Sequence, residues 1–204
     1  MHQAHHAHHA ARRLTALALA ATAALALAAC GAEGSGHAGP RNHGADADPA
    51  LHNTADSAFA RDMIPHHRQA LEMTDLAAGR ASAPAVRNLA TEIAKAQRPE
   101  IATLEGWLGS WGEQVPGAMR HSGGHTMAGM MSEADMKGLE KSRGAAFDAA
   151  FLRLMTAHHE GAVTMARTES ERGANSAAKA LARRIVATQN AEIATMRKLS
   201  GELT

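Results

Sequence analysis

Apolar and polar positions along this chain recur with the period of an α-helix. From Phe59 the inward series runs Phe59, Met63, His66, Ala70, Met73, Ala77, in alternating steps of four and three. That is a heptad-like seam on one helix face. It predicts a first helix from Thr54 or Asp56 to about Ala78, with Gly79 and Pro84 marking its exit. Pro65 lies inside the pattern and removes one backbone donor, so a kink or a helix restart is expected just before His66. A second helix, Pro84–Ser110, carries Leu89, Ile93, Gln97, Glu100, Leu104 and Leu108 on its seam. A third, Gly144–Arg172, turns Phe151, Met155, His158, Ala162 and Met165 inward. A fourth, Ser176–Leu199, does the same with Leu181, Ile185, Gln189, Glu192 and Met196. Ser132-x-x-Asp135 resembles a capping box and opens a short extra helix.

The seams repeat because the sequence repeats. FARDMIPHHRQALEM at 59–73 returns as FLRLMTAHHEGAVTM at 151–165, and the 92-residue register holds without a gap to Gly109/Gly201. Eighteen of the 51 aligned positions are identical. Two tandem helical hairpins fold most simply as an antiparallel four-helix bundle, an all-α architecture. Composition agrees. The chain has three Phe, two Trp and no Tyr, with abundant Ala, which favours helices over sheets. The formal net charge of +1 gives no basic footprint for nucleic acid.

The N-terminus reads as a targeting segment. Arg12-Arg13 precedes an apolar run from Leu14 to Ala29, short for a membrane span and suited to secretion. It ends Leu27-Ala28-Ala29-Cys30, which looks like a bacterial lipobox. Residues 1–29 are then a lipoprotein signal peptide, and Cys30 becomes the lipidated first residue of an exported protein anchored to the cell membrane. The early histidines are removed with the signal. Residues 30–53, rich in Gly, Ala, Asp and Pro and carrying His37, His43 and His52 as solvated linker residues, form a flexible tether. The folded domain spans 54–201. With its single Cys committed to the anchor, the mature chain has no disulfide.

Candidate chemistry lies in the polar residues of the seams. Each hairpin places a His pair on one helix (His66-His67, His158-His159) and Gln-x-x-Glu on the next (Gln97/Glu100, Gln189/Glu192). Burying such groups is costly unless they are hydrogen-bonded or bound to something. One reading is a metal site. Neutral imidazole binds copper, zinc, iron and nickel, while Met63, Met73, Met155 and Met165 flank the His pairs with soft thioethers. Sulfur beside nitrogen favours copper, Cu+ above Cu2+, with the Gln and Glu residues orienting the histidines. The other reading is a buried His–Glu hydrogen-bond network with Met as core filler. The seam favours His66 and His158 as the inward member of each pair. Between the hairpins, a connector over 111–136 holds Met119, His121, His125, Met127, Met130, Met131 and Met136, spaced by Gly and Ser. That composition suits a flexible arm for capturing copper where thiols are scarce. Trp107 and Trp111 precede it and are expected to cap the bundle end.

Met63-Ile64-Pro65-His66-His67-x-x-Ala70-x-x-Met73, its echo Met155-x-x-His158-His159-x-Gly161-Ala162-x-x-Met165, and the Met-rich stretch ending Met130-Met131-Ser132 resemble the bacterial domain of unknown function 305 family over roughly residues 54–201. The resemblance implies a ferritin-like, all-helical, exported protein. Because some members are linked to copper binding and tolerance, it makes copper handling the leading expectation. The second copy departs from the first in having Ala157 where the first has Pro65, so two sites would differ. The expectation is an envelope lipoprotein that buffers copper or passes it to an envelope copper protein. Two alternatives stand beside it: a ferritin-like metal-dependent oxidase, for which inward carboxylates are few, and a non-metal interaction module. The pattern leaves the oligomeric state open, homo-oligomer included.

Overall fold

The computed structural model describes residues 51–117 and 127–203, and among these the regular structure is entirely helical. The elements are α1 (Thr54–Arg80), α2 (Pro84–Ser110), α3 (Glu133–Lys141), α4 (Gly144–Arg172) and α5 (Ser176–Glu202). The four long helices run 27 to 29 residues, about 40 Å each. α1 packs on α2 and α4 on α5, as two hairpins. The hairpins meet mainly through α1 and α4, while α2 and α5 scarcely touch. The duplicated histidine helices are therefore the central pair of the bundle.

The helix starts follow from local chemistry. The Asn53 side chain accepts from Ala55 and Asp56 N–H, and Asp56 reaches back to the Asn53 N–H at 2.7 Å. Asn175 caps α5 through Ala177 and Ala178. Pro84 sits in the first turn of α2, where its missing donor costs nothing. Ser132 and Asp135 form the expected capping box of α3. The restart expected at Pro65 does not occur, since α1 runs through it unbroken, and α2 likewise runs through Pro99. The carbonyls that lose their partner, at Arg61 and Lys95, belong to exposed residues, so water can satisfy them.

A pair of aspartates docks the hairpins. Asp56, fully buried near the start of α1, accepts from Ala174 N–H (2.9 Å) and Asn175 N–H (2.9 Å) in the α4–α5 turn. Asp148, near the start of α4, accepts from Ser82 N–H (3.2 Å), Ala83 N–H (2.9 Å) and the Ser82 hydroxyl in the α1–α2 turn. Each histidine helix thus fastens the turn of the other hairpin, which fixes α1 and α4 as antiparallel neighbours. The core forms two apolar clusters. One gathers Met73, Val86, Ile93, Phe147, Phe151 and Leu152, with Met136 and Leu139 of α3 laid under it. The other gathers Phe59, Met63, Ile64, Leu104, Leu108 and Ile185. Along α1 the histidines fall at the boundary between the two.

Candidate metal centre

All four helix histidines are fully buried. The seam favoured one of each pair, but α1 and α4 are covered on two sides, by their hairpin partner and by each other. Adjacent residues, about 100° apart around a helix, can therefore both be enclosed. His66 and His158 face one another across the α1–α4 interface, ring centroids 3.7 Å apart and 39° between planes. His67 and His159 turn toward their own hairpins. His67 Nε2 lies 2.8 Å from Glu100 Oε2, and His159 Nε2 lies 2.8 Å from Glu192 Oε2. In a neutral imidazole a proton on Nε2 toward the carboxylate leaves the lone pair on Nδ1. This is how a carboxylate orients a metal-binding histidine.

Six imidazole nitrogens here are buried without a well-formed hydrogen bond: both of His66, both of His158, and Nδ1 of His67 and His159, with the Ala128 backbone approaching His66 and the His66 backbone approaching His158. Gln97 has neither amide atom paired, and Gln189 lacks a partner for its oxygen. Burial, followed by the nearby His67 and His159, pushes the His66 pKa down to about 3, slightly opposed by the Ala128 backbone. Burial likewise holds His158 well below the usual imidazole range, with His66, His159 and His67 adding to the effect. At neutral pH these rings are uncharged and able to donate electron pairs. Among the described residues, no three His, Cys, Asp or Glu side chains converge as a complete coordination shell.

The other sequence-predicted residues separate. Met63 and Met155 are fully buried one turn before their histidines. Met73 and Met165 lie two turns beyond theirs, about 10 Å along the axis. Met73 packs with Phe151 in the first cluster, and Met165 against the second, which contains Phe59. Met127, Met130 and Met131 are half-buried, and residues 127–131 run across the bundle beside Gly161. Met119, His121, His125 and Cys30 lie outside the described residues. Trp107 and Trp111 pack against the second cluster, as expected of a bundle cap. His52, read as a solvated linker residue, instead stacks on Trp111 with centroids 4.4 Å apart and its Nε2 3.5 Å from Glu113 Oε1.

Residues 56–200 match the family described as Domain of unknown function (DUF305). This chain belongs to the DUF305 family. Its fold is shared with a DUF305 protein of Streptomyces coelicolor assigned as secreted, at 38% identity and TM-score 0.67, covering 73% of this chain and 92% of that one. A DUF305 fragment from Deinococcus radiodurans matches at 35% identity and TM-score 0.66, covering 74% and 97%. CopM in its Cu(II)-bound form matches at 30% identity and TM-score 0.64, covering 73% and 97%. CopM is also solved in Cu(I)-bound and Ag-bound forms. No match is found among the curated proteins.

Sequence reasoning missed several residues that build this DUF305 site. Asp56 and Asp148 stand 92 residues apart, so carrying the repeat three positions upstream would have found them. Gln69 and Gly161 also share one repeat position, but they differ, and a search for identities passes over them. The bridge between Arg68 and Glu105 (2.7 Å) returns in the second copy between Arg197 and Glu160 (2.8 Å) with its charges exchanged. That exchange leaves Arg68 free to donate also to the carbonyls of Pro116 (2.7 Å) and Gly117 (2.9 Å) at the start of the connector.

Proposed function

We propose that this protein is an exported, lipid-anchored copper binder that buffers copper in the bacterial envelope or hands it to an envelope copper protein. Copper is its cargo. The observation that carries this reading is the set of fully buried histidines at the meeting of the two repeats, whose free ring nitrogens make no well-formed hydrogen bond and of which His66 and His158 are held uncharged by burial. Such atoms each cost about 1–3 kcal/mol when left unpaired, and a bound metal relieves that cost. His66, His67, His158 and His159 are the ligand candidates, Met63 and Met155 the thioethers nearest them in sequence, and the connector methionines a capture arm. The metal complexes of CopM at 26–30% identity support copper as the ion. Cys30 as anchor rests on the lipobox-like Leu27–Cys30. No helix among the described residues is long and apolar enough to cross a membrane.

The test is metal retention by the purified domain after competition among copper, zinc and iron. We predict retained copper, and a loss of affinity on changing all four histidines to Ala that exceeds the loss from deleting the connector. Copper held at wild-type affinity by that quadruple variant would overturn the site. Retained iron with oxidase turnover would replace the binder by an enzyme.

A further inference from the structure

Residues 127–131 are held across the bundle from both sides. Gln69, fully buried on α1, spends both ends of its amide on Met131: its Nε2 donates to the Met131 carbonyl (3.0 Å), and the Met131 N–H donates to its Oε1 (2.7 Å). On the α4 side the backbone comes into contact where a side chain is missing. A Cβ at Gly161 would fall 2.0 Å from the Ala128 carbonyl oxygen and 2.7 Å from the Gly129 Cα. A Cβ at Gly129, whose φ is +81°, would fall 2.8 Å from the Ala157 oxygen and 2.9 Å from that of His158. The Ala128 backbone also reaches His66. This short segment therefore lies beside the paired imidazoles.

Gln69 and Gly161 are one position of the repeat. A single strand crossing a pseudo-twofold axis cannot treat both halves alike. Here one copy supplies a side chain that reaches and grips, and the other supplies clearance. We propose that Gln69 is a positioning residue, holding residues 127–131 as a strap beside the His66–His158 pair so that a soft cation bound there leaves only when the strap lifts. The inference rests on the metal-binding reading above and adds the element that sets the rate of release. Nothing in the apolar packing of α1 calls for a buried amide at position 69; its partners are backbone atoms of the strap.

The experiment loads the full-length protein with Cu(I) under anaerobic conditions. It is then mixed with excess bathocuproine disulfonate, and the coloured chelate is followed in time. Gln69→Leu removes the grip, and Gly161→Ala removes the clearance from the opposite side. Losing two ordinary hydrogen bonds corresponds to roughly thirtyfold in the lifted population, so we expect release about thirtyfold faster in Gln69→Leu. Gly161→Ala is expected to move the same way. Hydrogen exchange at the Met131 amide, slow in wild type and fast in Gln69→Leu, separates strap loss from general destabilisation. Should Gln69→Leu fail to fold, Gly161→Ala carries the test. Release at the wild-type rate from folded variants that still bind Cu(I) overturns the strap and leaves the metal site standing. A wild-type protein that takes up no Cu(I) overturns both.

Discussion

Replacing His66 and His158 together by Leu separates a metal site from a structural network. The two ring centroids lie 3.7 Å apart, fully buried, with none of the four nitrogens in a well-formed hydrogen bond. A buried polar atom without a partner costs about 1–3 kcal/mol, so at the low end the pair costs about 4 kcal/mol. Swapping an imidazole for a side chain of similar volume costs about 1 kcal/mol in repacking at each site. We predict that the metal-free double variant is more stable than wild type by about 2 kcal/mol, a rise of about 4–8 °C in Tm for a domain of this size. It should also bind copper far more weakly. The assay is thermal unfolding by circular dichroism in a chelator-treated sample, paired with a copper titration. In a structural network the same change would cost stability. A double variant destabilised by 2 kcal/mol or more, or one that keeps wild-type copper affinity, would refute the reasoning. A gain in stability with lost binding is the pattern of a site whose groups are held for a ligand.

The remaining predictions concern the frame around the site. Asp148→Ala removes three hydrogen bonds to a buried carboxylate and should cost about 3 kcal/mol in denaturant unfolding. Asp56→Ala should match it, because it releases the equivalent turn of the other hairpin; a loss below 1 kcal/mol in both would remove the reciprocal fastening. Glu169 is buried against Asp56, and burial first, then the Asp56 carboxyl, pushes its pKa from 4.5 up to about 8. The folded state thus keeps a proton that the unfolded chain releases, so this contribution is full below pH 4.5 and is lost as pH rises through about 8. Glu169→Gln should flatten that slope and be the more stable protein at pH 8 in a pH series of melting curves; an unchanged slope counts against the assignment. His66 acts in the opposite sense. Its pKa falls from 6.5 to about 3, so metal-free protein should lose stability as pH drops through that window, an effect that titration with chemical denaturant would detect and that the Leu double variant should lack.

The helices, their duplication and the choice of His, Met and Glu as the chemical residues are all properties of local spacing. A run such as Phe59, Met63, His66, Ala70, Met73 needs only a helix and one apolar side to be understood, and the 92-residue echo needs only comparison of the chain with itself. The caps at Asn53 and Ser132 are equally local. What the sequence could not express is how two hairpins meet. A seam is one stripe, so it selected His66 and His158 alone. Only the docking of α1 on α4 covers a second face and buries His67 and His159 as well. The His67–Glu100 pair spans 33 residues, and the Gln69–Met131 grip spans 62. No periodicity carries such distances. The methionines obey the seam equally and differ in their distance along the helix: Met63 and Met155 lie one turn before their histidines, Met73 and Met165 two turns beyond, and all four pack in or against the two apolar clusters. Local pattern determined which residues are polar inside an apolar bundle. The meeting of the two hairpins determined which of them face each other, because that contact covers a second face of each histidine helix.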